Sequence, residues 1–354
     1  MEDKNKGSKY YNPDRILNMK DLNKKEPNLY IISSNRSAGK TTSFLLKCLR
    51  DFKKKGHQFV LLYRFNYEIS SANMIFKDVM DLYPKYAGKM EIFGRAKGLF
   101  YELKLNGVTC GFSLSMNNPD SLKKYSALFK NVQIMVMDEF QSETGKYLPK
   151  EVEKLLSIYM TVARGGGSQS RDVKCFLLGN MITIMNPYFI YLGIHKRLRS
   201  NTKFMRGNGW VAEFNLNTFA SEALSNNNFY GAFSDNKYVQ SSVEGVYLYD
   251  SKVFIDKPKG RSRYIVTIKY EQTYFAVREY YDEGIIFVNK KPDMSYPYVM
   301  TFKANDHSQN TIMLDHYSYL WKNLSDGFKQ GILRFDDEQT KEAIFEILGV
   351  DLYK

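Results

Sequence analysis

Cysteine is scarce in this sequence. Its three cysteines, Cys48, Cys110 and Cys175, lie far apart, with no CxxC or Cys/His pairing among them, which excludes a disulfide framework and a thiolate metal centre. Each sits in an apolar stretch (FLLKCLR, VTCGF, VKCFLL), so buried free thiols in a reducing cytosol are expected. Long apolar runs are missing too. Nothing approaches the length of a membrane span, and the opening MEDKNKGSKYYNPD has no apolar signal core, so the expectation is a soluble, non-secreted protein with no membrane association. There is no internal repeat and no long low-complexity segment.

Acidic residues are the minority, 38 against 51 Lys and Arg, for a formal charge of +13. That balance points to a polyanionic partner, because neutralising phosphates and releasing counterions supplies much of nucleic-acid affinity. A solubility trait is the competing reading. Aromatics are plentiful, with 27 Tyr and 24 Phe, and most are accounted for as packing in strands. A chain of 354 residues is long for one core, so two domains are expected.

Along the chain, residues 1–27 read as a Lys-rich, partly ordered arm. LYIIS (29–33), FVLLYR (59–64), VQIMVM (132–137) and VKCFLL (173–178) have no polar face and read as buried strands. Helices are expected over 40–55 (closed by Gly56), 70–83, 120–129 and 149–164, and a hairpin over 99–116 turning at Asn106-Gly107. Buried strands alternating with helices predict an α/β fold with a parallel-sheet core. The pattern fades after Gly193. Residues 195–235 suit a linker or small helical subdomain, and from Val239 the texture is strand-rich (VEGVYLYD, YIVTIKY, YFAVREYY, GIIFVNKK, YVMTFK), with helices near 315–323 and 338–348. The expected division is an α/β domain over 1–195, a linker or helical subdomain over 196–238 and a third region over 239–354.

SNRSAGKTT (34–42) matches the P-loop pattern except that Ser34 replaces its first glycine. It follows an apolar strand and opens a helix, the context the motif needs. Backbone N–H groups from Ser34 through Arg36, Ser37, Ala38, Gly39, Lys40, Thr41 and Thr42 can cradle phosphates at a helix N-terminus. Lys40 would bridge the β- and γ-phosphates of ATP, and Thr41 would give an oxygen to Mg2+. Asp138 and Glu139 follow an all-apolar strand, Asp138 suiting the magnesium shell and Glu139 a base for attacking water. Asn180 ends the next strand, where an amide can report the γ-phosphate; a turn residue is the competing reading. Arg36 lies in the loop, as a phosphate contact or a solvated side chain. Arg164, before Gly165-Gly166-Gly167, reads as an arginine finger for a neighbouring subunit, ahead of Arg171; cationic capping of a helix C-terminus is the alternative for both. No NKxD motif appears, which argues against GTP.

These pieces resemble the large-terminase branch of viral DNA-packaging ATPases, especially the short phi29-like packaging ATPases. The likeness rests on the arginine in SNRSAGKTT, the apolar strand into Asp138-Glu139, LLGN (177–180) and the segment NNPDSLKK (117–124), and covers residues 28–195. It implies a P-loop fold of the ASCE/RecA-like kind, and an ATP-hydrolysing motor translocating double-stranded DNA into a prohead as a homo-oligomeric ring, a pentamer by family resemblance. It further implies docking at the portal vertex in the host cytoplasm and, for phi29-like members, a structural prohead RNA as partner. Carried over by position, Lys124 (or Lys123) is the interface lysine near the nucleotide, and Arg164 the finger acting in trans.

The resemblance also implies an RNase H-like C-terminal domain whose meander fits Tyr264–Lys291. A two-metal nuclease needs a carboxylate cluster, and Ile268-Lys269-Tyr270 stands where its leading acid belongs, so a vestigial nuclease is expected. Lys257, Lys259, Arg261 and Arg263 (KPKGRSR) suit nucleic-acid phosphates, against the competing view of a solvated turn. Rival readings are a helicase or other P-loop translocase, a packaging ATPase with an active nuclease, and a basic RNA- or capsid-binding protein with a degenerate P-loop.

Overall fold

The computed structural model describes residues 10–143, 146–164, 170–184, 186–198, 202–234, 236, 239–240, 242, 254–314, 318–330 and 332–351. The chain divides into two compact units, Met1–Met181 with Arg199–Gly245, and Ile182–Leu198 with Val246–Lys354.

The first unit is built on nine strands: β1 (Leu29–Ser34), β2 (Gln58–Tyr63), β3 (Met90–Arg95), β4 (Phe100–Leu105), β5 (Val108–Ser115), β6 (Val132–Met137), β7 (Lys174–Asn180), β8 (Phe204–Gly207) and β9 (Trp210–Asn215). Their order is β3-β4-β5-β2-β6-β7-β1-β9-β8. From β5 to β9 every pairing is parallel, with antiparallel strands only towards the two edges. The apolar runs of β1, β2, β6 and β7 follow from burial on both faces of the sheet. Because β7 separates β1 from β6, three strand ends, Ser34, Met137 and Asn180, open side by side at the carboxyl edge, where open α/β sheets bind ligands.

The Lys40–Lys55 helix buries Phe44, Leu45, Cys48 and Leu49 on one stripe and ends at Gly56 in the left-handed region (φ 70°), a close to the helix that only glycine makes without strain. The three cysteines are buried and free. The β4–β5 hairpin turns at Asn106 (φ 51°) and Gly107 (φ 80°), the left-handed pair that a two-residue hairpin requires. Instead of one helix over 70–83, a 3-10 turn (Asn66–Ser71) is followed by a short helix (Phe76–Leu82).

The expected boundaries need correction. Residues 196–238 do not form a linker: β8 and β9 lie inside the first unit's sheet, β9 pairing with β1 along its whole length, and short helices follow at Thr218–Ser225 and Asn228–Gly231. Residues 182–198 group with the second unit. β9 escapes a sequence reading because Glu213 interrupts its apolar run; the carboxylate is fully buried, held by Tyr11 (2.5 Å) and Arg15 (2.8 Å) far away in sequence. β3 escapes because its side chains are half-buried or exposed.

The second unit holds β10 (Ser262–Tyr270), β11 (Thr273–Tyr280), β12 (Ile285–Asn289), β13 (Val299–Thr301), β14 (Ile312–Met313) and β15 (Leu333–Phe335), in the order β14-β13-β10-β11-β12-β15. β10, β11 and β12 form the expected antiparallel meander, while β13 runs parallel to β10 and β14 to β13, an RNase H-like arrangement. Glu271 and Gln272 turn the β10–β11 hairpin in the left-handed region, and their N–H groups donate to the buried Asp306 carboxylate (2.8 and 3.4 Å). Helices span Tyr319–Lys329 and Glu338–Asp351. The strand expected at VEGVYLYD lies outside the described residues. Among those described, no helix is long and apolar enough to cross a membrane.

Candidate nucleotide site

The carboxyl edge of the first sheet opens on a cavity of about 470 Å³ lined by the loop 36–42, Asp138, Glu139, Asn180 and Tyr10. Within the loop, Ser37 (φ 59°) and Gly39 (φ 77°) both take left-handed conformations, which bends successive amides into a concave nest suited to an anion. The following helix aligns its first N–H groups on the same space.

Lys40 is buried, and its ammonium donates to Ser34 Oγ (2.9 Å), the Asn35 carbonyl (3.0 Å), the Ser34 carbonyl (3.4 Å) and Asn180 Oδ1 (3.2 Å). Burial pulls its pKa down to about 8 from 10.5, despite the opposing pull of Asp138. Sequence reasoning put Ser34 in the phosphate cradle. In the structure Ser34 is buried and is not among the residues that line this cavity; its hydroxyl accepts from Lys40, a role a glycine could not fill.

Two opposite pH effects follow for Lys40. Its folded pKa lies below the unfolded one, so the unfolded chain binds more protons between about pH 8 and 10.5, and the lysine's contribution to stability rises with pH through that window. Phosphate binding needs the proton, so nucleotide affinity is expected to fall about tenfold between pH 8 and pH 9.5 as Lys40 deprotonates, measured by equilibrium titration; Lys40→Arg should flatten the profile.

Thr41 donates its hydroxyl to Asp138 Oδ2 (2.5 Å), and the Glu139 N–H donates to Asp138 Oδ1 (3.0 Å). Desolvation pushes the Asp138 carboxyl above its ordinary range. A hydroxyl and a desolvated carboxylate facing one another are hard oxygen donors suited to magnesium, which is characteristically bound through one or two carboxylates plus phosphates and water. Among the described residues no cluster of three His, Cys, Asp or Glu could hold a metal, and this mode of binding needs none.

Glu139 stands in the left-handed region (φ 55°), an uncommon conformation for a residue with a side chain. Arg64, at the end of β2, fixes it there. Its guanidinium donates to the carbonyls of Glu139 (3.2 Å) and Phe140 (2.7 Å) and pairs with Glu151 (3.0 Å), both charged side chains being buried. Glu151 also accepts from the Leu148 N–H (2.8 Å). On the other side, Gln141 donates to Ser33 Oγ (3.0 Å). Gly179 leaves room for Phe140, whose ring a Cβ there would approach to 2.8 Å. Removing Glu151 would leave the Arg64 charge buried without its carboxylate, so Glu151→Ala is expected to cost about 3–5 kcal/mol, read as a lower denaturation midpoint.

The remaining predicted residues are less concentrated. Thr42 and Ala38 line the cavity, as does Arg36, which pairs with Glu143. Lys124 is exposed on a 3-10 turn and is not among the residues that line this cavity; Lys123 pairs with Asp120 (2.6 Å). Arg164 is exposed just after the Glu151–Val162 helix; the glycine run after it lies outside the described residues. Arg171 donates to the carbonyls of Val132, Phe129 and Val162 (2.7–3.0 Å), a structural staple. Lys257, Lys259, Arg261 and Arg263 are all exposed in the second unit. Sequence reasoning missed Tyr10, Arg64 and Glu151. Arg64 alone carried a signal, a charge placed directly after an apolar strand.

Three comparisons bear on this site. Residues 4–350 match the family described as Podovirus DNA encapsidation protein (Gp16). The DNA packaging protein of Bacillus phage phi29 is 25% identical over 344 residues, covering 96% of this chain and 97% of that protein. Two solved structures share the fold: the bacteriophage phi29 viral genome packaging motor assembly, with 23% identity, a TM-score of 0.53 and coverage of 96% of this chain and 98% of that one, and the phi28 gp11 DNA packaging motor, with 16% identity, a TM-score of 0.52 and coverage of 97% and 98%.

Proposed function

The chain belongs to the podovirus DNA encapsidation protein (Gp16) family, and from that premise we propose that it is the ATP-hydrolysing subunit of a motor that moves double-stranded DNA into a viral prohead. The observation that carries the reading is the convergence of Lys40, Thr41, Asp138, Glu139 and Asn180 at one cavity. On this reading Lys40 leaves Ser34 and Asn180 to meet the β- and γ-phosphates of ATP. Thr41 and Asp138 are the oxygens that would hold Mg2+, whose charge offsets that developing on the phosphates. Glu139 orients and polarises the attacking water, and Asn180 registers the γ-phosphate.

Arg164 serves the neighbouring subunit's nucleotide, so the working form is a ring docked at the portal vertex in the host cell, and a pentamer on the family resemblance. Lys124 belongs to the same subunit interface. Lys257, Lys259, Arg261 and Arg263 contact phosphates of DNA or of a structural prohead RNA, and the second unit binds without cutting, because Lys269 stands in the stretch where a nuclease's first acid belongs.

The test is ATP-dependent protection of duplex DNA from added nuclease in the presence of proheads. Wild type is expected to protect and Lys40→Ala is not. ATP hydrolysis indifferent to DNA and proheads would sink the motor reading.

A further inference from the structure

The P-loop is held from outside by a segment that no nucleotide-binding motif includes. The Tyr11 N–H donates to the Ala38 carbonyl (2.8 Å), inside the loop, and the Tyr11 carbonyl accepts from Ser43 Oγ (2.7 Å), in the first turn of the following helix. The Tyr11 ring stacks on Phe44 (5.9 Å). Its hydroxyl donates to Glu213 (2.5 Å), whose other oxygen pairs with Arg15 (2.8 Å). Glu213 is fully buried in β9, the strand beside the P-loop strand. Tyr10, the preceding residue, lies against Gly39 so closely that a Cβ there would come within 2.8 Å of its ring, and it also walls the nucleotide cavity.

A trans peptide points its C=O and the next N–H in opposite directions. With the Ala38 carbonyl turned outward to Tyr11, the Gly39 N–H of the same peptide is turned inward, toward the space where a phosphate would lie. We infer that Tyr11, anchored on Glu213, is a positioning residue that sets the Ala38–Gly39 peptide for phosphate binding, with Tyr10 as the outer wall of the same site. The inference rests on the reading that this cavity binds nucleotide. It makes the buried charge of Glu213 functional: a carboxylate in the middle of a strand costs stability unless satisfied, and its two partners both come from the segment it anchors.

The test uses the full chain. Tyr11→Phe removes only the hydroxyl that reaches Glu213, and Glu213→Gln keeps an oxygen able to accept from it. For Tyr11→Phe, the dissociation constant for a fluorescent ATP analogue and the KM for ATP are expected to rise about tenfold, as for a lost hydrogen bond to a charged group, with kcat at saturating ATP within about twofold, all measured well below a melting temperature that itself falls because the buried Glu213 loses one of its two partners. Glu213→Gln should stay closer to wild type, and it decides the question if Tyr11→Phe fails to fold, since a nucleotide affinity equal to that of Glu213→Leu would overturn the anchor. A folded Tyr11→Phe protein with wild-type affinity, or one that loses kcat while keeping affinity, overturns the inference. Wild type that binds no ATP analogue overturns the nucleotide reading itself.

Discussion

Glu139→Gln should bind ATP as wild type does and hydrolyse it about 10²–10⁴-fold more slowly, the range that a positioned general base contributes. The backbone around Glu139 is fixed from three directions: its N–H on Asp138, its carbonyl on Arg64, and the next carbonyl, of Phe140, on Arg64 again. That clamp holds a residue at φ 55° and aims its side chain into the cavity. Glutamine keeps the shape and loses the basic oxygen, so equilibrium binding and single-turnover hydrolysis separate the two roles. The surrounding protein, and then the negative Asp138, push the Glu139 carboxyl above its ordinary range. The base works only when deprotonated, so kcat should fall as pH drops through that raised pKa, and the acid limb should vanish in the variant. Hydrolysis persisting at the wild-type rate would move the base elsewhere, with Glu68, lining a neighbouring cavity shared with Glu139, next in line.

The second large effect concerns Arg164. On the proposed function, an assembly made wholly of Arg164→Ala subunits is expected to lose about 10³-fold in turnover, the lower end for an arginine finger. The sharper measurement mixes two inactive proteins. An Arg164→Ala subunit keeps an intact P-loop, and a Lys40→Ala subunit keeps an intact finger, so interfaces joining one of each in the right order should regain hydrolysis. A mixture as inactive as its components rejects action in trans, and so does an isolated monomer turning over at full rate. Arg171 does not compete for the role, since its guanidinium is committed to three backbone carbonyls.

Much of this was legible in the chain, for physical reasons that also mark where legibility stops. β1, β2, β6 and β7 are buried on both faces, so they read as unbroken apolar runs, and Lys40 at the start of the helix after β1, Asp138 just past β6 and Asn180 at the end of β7 converge as their positions imply. The P-loop helix showed both its glycine stops. What stayed hidden depends on partners distant in sequence. Glu213 looks like a surface residue until Tyr11 and Arg15 are brought to it, and so β9 falls within the stretch that reads as a linker or small helical subdomain. Arg64 and Glu151 are 87 residues apart, and neither alone distinguishes a buried ion pair from two solvated charges. Ser34 looked like a flawed glycine because pattern matching registers what a loop tolerates, not what a hydroxyl can hold.

The hydrogen bond from Lys40 to Asn180 also ties the P-loop helix to the tip of β7, whose other neighbour is β6. On the proposed function, a γ-phosphate would draw on the same ammonium and so compete with Asn180 for its donors. The end of β7 is then the point at which a change at the loop reaches the middle of the sheet without passing through Glu139, so binding and hydrolysis would have separate routes out of one site.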